Sequence, residues 1–279
     1  MSGRADLREG PLISVVMPSL NQSAFLGHAI ASVLSQSYSR FELIVMDGGS
    51  ADGTLALLER YSASLAHWVS APDGGPAAAL NAGFARARGQ IFAVLNADDY
   101  YLPGTLETVA RAFIADTSAD VISGHGYFTS ESGLLGVPTY SDRWSERRFR
   151  HGACVLVQPA TFFRRTAFER AGGFRQSGRV CWDMELWADL ARTGAHFRLV
   201  NAFFAAFRLH DSSITGREDL RRRRRVDARA VMAELKGRPE LPIDRLWHLV
   251  YRILKFSSHP ARTLRQRTFV HSVLKRWSL

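Results

Sequence analysis

Oxygen-bearing side chains gather at Asn96-Ala97-Asp98-Asp99, directly after the apolar run Ile91–Leu95. An acidic cluster at the end of a strand can hold a hard divalent cation and leave coordination positions for phosphate. The same residue types also favour turns, so an acidic turn without a metal is the competing reading. Asp47 closes a second apolar run, FELIVMD, and Asp73 lies in Ala71-Pro72-Asp73-Gly74-Gly75. Further along stand Asp183, in Trp182-Asp183-Met184-Glu185-Leu186-Trp187, and Arg208-Leu209-His210. A helix starting near Asp183 puts Asp183, Leu186, Trp187 and Leu190 on one face, so a carboxylate points inward among apolar side chains. Such a carboxylate can serve as a general base. It can equally be an acid in the first turn, favoured by the helix dipole. Glu185 is the second candidate. Arg208 suits a phosphate, and a lone histidine such as His210 is more often structural than a ligand.

These side chains need a frame. Leu12–Pro18 and Phe41–Asp47 read as buried strands, His67–Ala71 as a weaker strand and Ile91–Leu95 as another. Helical spacing of apolar residues marks Phe25–Gln36, Thr54–Ala63 and Pro76–Arg88 between them. Strands alternating with helices indicate βαβ units and a largely parallel sheet. Ser19, Asn21, Asp47, Asp73 and Asn96–Asp99 all follow strands, on the carboxyl edge where open α/β sheets bind ligands. From Thr105 to Gly216 the pattern is mixed, with a helix near Leu106–Ala115, strands around Val121–Phe128 and a helix from Asp183.

Several classes are disfavoured. Pro18-Ser19-Leu20-Asn21 has no glycine until Gly27, against a dinucleotide fingerprint, and there is no Walker loop. Cys154 and Cys181 form no CxxC pair, which argues against zinc and fits a reducing compartment. Met1–Pro11 lacks the apolar core of a signal peptide, and no stretch reaches the ~18–20 apolar residues of a spanning helix. The expectation is a cytoplasmic protein, or one peripheral to the inner face of the membrane.

The formal charge is +10, from 36 Lys and Arg against 26 Asp and Glu. The excess is concentrated after Gly216, where Arg221–Arg225 are five consecutive arginines. Leu241–Phe256 and Phe269–Trp277 interleave apolar and basic residues, a pattern that suits an anionic membrane surface. Packing on the parent domain is the alternative. No nucleic-acid reading motif accompanies the arginines, so no nucleic-acid partner is expected.

As an ordered set, ISVVMPSLNQSAFLGHAIASVLSQSY, FELIVMDGGSADGT, FAVLNADDYYLPGTL, FERAGGF, WDMELWADL and FRLHDSSIT resemble the family 2 glycosyltransferases of bacterial polysaccharide building. The resemblance spans Leu12 to Thr215. It implies a GT-A fold, a Rossmann-like mostly parallel sheet over 11–216, with a nucleotide-binding half to about 105, an acceptor half from 106, and 217–279 as a basic helical extension. It implies an inverting transfer of sugar from a nucleotide-diphosphate donor, a UDP-sugar by expectation, to a saccharide or lipid-linked acceptor. Pro18, Ser19, Asn21 and Asp73 would line the nucleotide pocket, and Asp47 would bond the base or cap its own turn. Asp98 and His210 would hold Mn2+ or Mg2+, with Arg208 beside the diphosphate and Asp183 as the base.

Three departures from the family pattern stand out. Asn96 replaces the first acid of the family's Asp-x-Asp, and an amide there can bond a ribose hydroxyl but brings no charge. Trp182 replaces the Glu before the base. Ala71 and Ala77–Ala79 stand where compared relatives carry acids, so donor-sugar contacts differ. A sugar-phosphate nucleotidyltransferase is the competing enzyme, disfavoured because Ser19–Phe25 holds no Lys or Arg. An inactive nucleotide-sugar-binding module is the competing non-enzyme.

Overall fold

The computed structural model describes residues 7–178, 180–210, 213, 217–258, 264–265 and 268–270. The described elements run β1 (Ile13–Ser19), α1 (Ser23–Leu34), β2 (Phe41–Asp47), α2 (Thr54–Tyr61), β3 (His67–Ser70), α3 (Pro76–Phe84), β4 (Ile91–Val94) and β5 (Tyr100–Tyr101). There follow α4 (Thr105–Ala115), β6 (Val121–Thr129), β7 (Leu135–Thr139), α5 (Glu146–Phe149), β8 (Thr161–Arg164) and α6 (Arg165–Ala171). The chain continues through α7 (Trp182–Arg192), β9 (Phe197–Arg208), α8 (Glu218–Lys236) and α9 (Pro242–Ser258).

One sheet carries the strands in the order β3-β2-β1-β4-β8-β6-β9-β5, with β7 paired to β6. The first four are parallel, in register Ile13 with Phe41 and with Ile91. Beyond β4, β8 runs antiparallel to both β4 and β6, so the sheet turns mixed where the sequence pattern loses its rhythm. The parallel strands are apolar on both faces because helices cover both. Val15 and Met17 sit in the layer under α1 and α4, while Val16 and Met46 face the layer of α3, α6 and α7.

Pro76 opens α3 at a position where its missing N–H costs nothing. The helix ends at Phe84, short of the Arg88 that apolar spacing suggests, because the backbone N–H of Arg88 is taken by the buried carboxylate of Glu42. Glu42 also accepts from the Ser14 hydroxyl at 2.6 Å and from Arg88 Nε at 3.0 Å, fixing β4 beside β1.

The chain after β9 divides. α8 lies along α7 and buries Val231, at 1% exposure, in the second layer. At the joint to α9, buried Asp244 accepts from both terminal nitrogens of Arg238 (2.7 and 3.0 Å) and from Leu241 N–H at 2.8 Å, with Lys236 Nζ 3.3 Å away. α9 turns Asp244, His248 and Tyr251 toward the domain, His248 donating to the His151 carbonyl at 2.8 Å. Leu246, Leu249 and Ile253 on the opposite face are each more than half exposed. Of the second basic amphipathic stretch expected from the sequence, Phe269–Trp277, only 269–270 belong to a described helix, and 271–277 lie outside the described residues. Among the described residues, no helix is long and apolar enough to cross a membrane.

α3 packs on β1 through Gly83, where an added Cβ would stand 2.5 Å from Val16 Cγ1. Valine is stiff at that torsion and cannot swing away. Gly83→Ala is expected to lower stability by about 1–3 kcal/mol, despite alanine's higher helix propensity. Urea unfolding of Gly83→Ala, Val16→Ala and the double variant checks this: the double should lose less than the sum of the two.

Candidate functional site

The loop between β4 and β5 follows β1: Leu95 N–H donates to the Val16 carbonyl and Ala97 N–H to that of Pro18. Asp99 N–H then closes a turn on the Asn96 carbonyl at 3.0 Å, leaving Asp98 at the corner. Its carboxylate Oδ2 lies 3.0 Å from Nε2 of His210, which arrives from the end of β9. Asp99 points the other way, into the core, accepting from Arg208 N–H at 3.0 Å and from the Asn96 amide at 3.3 Å. Burial, with Asp98 alongside, pushes the Asp99 carboxyl well above the ordinary range.

Asp98 opens on a cavity of about 340 Å³ that Pro18, Ser19, Asp73, Asn96, Gln158 and Asp183 also line. Ser19 Oγ and Gln22 Oε1 are buried there with no hydrogen-bond partner among the described residues. Unpaired buried polar atoms are costly unless a ligand or water completes them. Asp73, also in the lining, accepts from Gly75 N–H at 2.7 Å through Oδ1.

Asp98 and His210 suit a divalent cation. As they stand, Nε2 of His210 and Oδ2 of Asp98 share a hydrogen bond of 3.0 Å, and both atoms would turn to the ion if one bound. Carboxylate oxygen with imidazole nitrogen is a donor set that manganese accepts. Among the described residues no third His, Cys, Asp or Glu joins them. A cation there would therefore draw its remaining ligands from a bound molecule or water.

Not every expected residue reaches the cavity. Asp47 is fully buried and accepts from Gly49 N–H, Ser50 N–H and the hydroxyls of Ser50 and Ser70, so its carboxylate organises the turn after β2. Asn21, at φ +52°, is exposed and accepts from Ala51 N–H at 3.0 Å, tying the β1 loop to the β2 loop. Arg208 is 3% exposed. Its guanidinium donates to the carbonyls of Asp98 (2.8 Å) and Glu131 and to Nδ1 of His28 (3.1 Å), and it stacks over Phe25 at 4.8 Å. Arginine only donates, so His28 Nδ1 must be the acceptor. Burial, then the nearby Arg208 charge, lowers the His28 pKa accordingly.

Asp183 begins α7, half-buried, and lines both the first cavity and a second of about 540 Å³ on its other side. Burial raises its pKa, and the positive charge of Arg224 opposes that rise. Glu185 is 0% exposed and accepts from the Ser177 hydroxyl at 2.8 Å, turned away from both cavities. Trp182, in place of an acid, packs edge-on against Phe174 with ring centroids 5.4 Å apart. Cys181 is buried and its thiol is pushed up to about 12, first by burial and then by Asp183, so it is no nucleophile.

The sequence reading missed Gln22, Gln158 and Arg224. Gln158 sits 62 residues from Asn96, whose amide it accepts at 3.1 Å, and it donates to the Val94 carbonyl at 2.9 Å. No local spacing announces such a residue. Arg224 was visible as one of five arginines, but only the fold selects it.

The sequence profile named Glycosyl transferase family 2 matches residues 14–172, more than half of the chain, and the chain belongs to that family. It is similar to an uncharacterized glycosyltransferase of Rickettsia typhi, 27% identical over 74% of this chain and 66% of that protein. An O-antigen biosynthesis protein of Myxococcus xanthus is 32% identical over 62% of this chain and 14% of its own length. The chain thus spans just under two thirds of the first relative and a small part of the second. Among solved structures it resembles the mannosyltransferase of Pyrobaculum calidifontis in complex with GDP-Man and Mn2+. That likeness has a TM-score of 0.63, 18% identity, and coverage of 98% of this chain and 76% of that one. The fold is of the GT-A type.

The guanidinium of Arg208, expected beside a diphosphate, is held by three protein acceptors, an arrangement that suits a strut. Arg208→Gln is expected to destabilise by about 3–5 kcal/mol, since it breaks a buried charge network. UDP affinity, measured by calorimetry below the variant's melting range, should stay within threefold. A tenfold loss of UDP affinity in a folded variant would assign Arg208 to the ligand.

Proposed function

We propose that this family 2 member is an inverting glycosyltransferase taking a sugar from a nucleoside-diphosphate donor to a hydroxyl acceptor in polysaccharide or glycolipid synthesis. The observation that carries the reading is the position of Asp183 between two cavities, the first of which holds Asp98 beside His210. A donor occupies the first cavity, where Ser19 and Gln22 have unsatisfied polar atoms and Asp73 and Asn96 offer groups for the nucleoside. Asp98 and His210 would hold Mn2+ or Mg2+, which supplies positive charge beside the departing diphosphate when bound.

The acceptor enters from the second cavity. Asp183 takes the hydroxyl proton as the oxygen bonds to the anomeric carbon, and the bond from that carbon to the phosphate oxygen breaks. The proton ends on Asp183, the electron pair leaves with the nucleoside diphosphate, and the configuration inverts in one displacement. The burial that raises the pKa of Asp183 makes it a better proton acceptor near neutrality than an exposed carboxylate.

We also propose contact of α9 with an anionic membrane surface. The exposed stripe Leu246–Leu249–Ile253 is flanked by exposed Arg245 and Arg252, while the opposite face of the helix meets the domain. Apolar burial plus basic attraction is the balance of an interfacial helix.

Asp183→Asn keeps the shape but cannot accept the proton, so kcat should fall ~10²–10⁴-fold with UDP affinity unchanged. A base must be ionised, so kcat should fall as pH drops through a midpoint above the ordinary carboxylate range. Arg224→Met removes the charge that opposes this rise, and the midpoint should move higher still in a pH profile at saturating substrates.

Hydrolysis of a panel of UDP- and GDP-sugars tests the first cavity. Asp98→Ala should abolish it and weaken nucleotide binding in Mn2+, whereas full hydrolysis in excess chelator would refute the metal assignment.

Cosedimentation with phosphatidylglycerol vesicles should be strong at low salt and fade as salt rises. Leu249→Glu with Ile253→Glu should eliminate it without changing the melting temperature, and undiminished binding would refute the membrane face.

A further inference from the structure

The run Arg221–Arg225 is one turn and a half of α8, and its members have different fates. Arg222 pairs with Glu218 at 2.9 Å, and Arg223 donates to the Gly178 carbonyl at 2.7 Å and lies 3.9 Å from Asp227. Arg221 and Arg225 have no hydrogen-bond or carboxylate partner among the described residues, Arg224 acts electrostatically on Asp183, and all three line the second cavity. Positions three and four apart share a helix face, so this face is turned as a unit over the cavity mouth.

The opposite wall is apolar, built from Phe149, Leu156 and Trp187 among others. The indole Nε1 of Trp187 is buried without a partner among the described residues. Two carboxylates, Asp183 and Glu218, also line the cavity. Glu218 is already paired with Arg222, and the charge of Asp183 is felt by Arg224. The cavity therefore offers clustered positive charge, an unmet donor and an apolar wall. Guanidinium groups with free forks match phosphate oxygens bidentately.

We infer that the acceptor carries a phosphate ester close to the hydroxyl that is glycosylated, and that Arg221 and Arg225 select it. This rests on the transferase reading of Asp183, and it adds the chemical class of the acceptor. The phosphate can be borne by a lipid or by a soluble polyol or sugar. Both present the same group to the same helix face. Arg224 borders the first cavity as well, so it is not used to separate the two sites.

The test is calorimetric binding to the full chain of three probes: decyl phosphate, glycerol 3-phosphate and neutral decyl glucoside. At least one phosphate probe should bind tenfold or more tightly than the glucoside, and lose tenfold or more in Arg221→Ala/Arg225→Ala. The control pair Arg111→Ala/Arg229→Ala removes the same charge from residues whose carboxylate partners, Glu107 and Glu240, lie outside the cavity lining, and should stay within threefold. Binding of decyl phosphate alone identifies a lipid-borne ester. Equal binding of both phosphates identifies the phosphate itself as sufficient.

Equal or tighter binding of the glucoside, no binding by either phosphate, or an equal loss in the control pair would each overturn the inference. UDP affinity of Asp98→Ala, measured alongside, reports on the donor cavity separately. That affinity can fall as expected while the phosphate preference fails.

Discussion

A buried guanidinium with every nitrogen engaged, that of Arg208, ties the loop after β4 and the loop after β6 to α1. It stands at the end of β9 and holds the carbonyl of Asp98, the carbonyl of Glu131 and the ring of His28 at once, while its own N–H binds Asp99. Three separate chain segments are thereby fixed to one point. His210, two residues further on, is delivered to Asp98 by this anchoring. Removing so buried a charge from water is expensive, and only complete pairing makes the arrangement tolerable. The acidic corner inherits its geometry from that requirement.

The same logic separates the acids that hold the fold from those left for chemistry. Asp47, Asp99, Glu42 and Glu185 are buried, and each accepts hydrogen bonds from its own surroundings. Asp98, Asp73 and Asp183 face cavities. The distinction lies in which acids already have their hydrogen bonds satisfied, and charge alone does not reveal it. Arginines divide likewise along α8, where paired and unpaired members alternate around the helix.

The parallel half of the sheet was readable from β1 to β4 because two-sided burial writes unbroken apolar runs into the sequence. The antiparallel half was not, since β8 inserts between β4 and β6 over a long separation that no local pattern records. The motif Trp182–Leu190 placed Asp183 correctly at a helix start, and its inward neighbours Leu186, Trp187 and Leu190 are buried. The surroundings of Arg208 were not legible. Its residue type suits phosphate, but its fate depends on the Glu131 carbonyl and His28, both remote in sequence. Gln158 was invisible for the same reason. The amphipathic character of α9 was legible, but which face would meet the domain depended on His151 and Asp244.

Asp244 has a mechanical consequence. A connection between two helices is usually compliant, and the elements beyond it sample a cone of directions. Here one carboxylate binds Arg238, sits against Lys236 at the end of α8, and caps the backbone at Leu241. Its hydrogen bond from Arg238, first among several, pulls its pKa far below the ordinary range, so the carboxylate keeps its charge near neutrality. α9 is thereby fastened at its first turn to the end of α8, and by His248 to the domain. Whatever surface its outer face rests against, the body of the protein adopts one tilt above it, and the mouth of the arginine-lined cavity keeps a constant height and bearing.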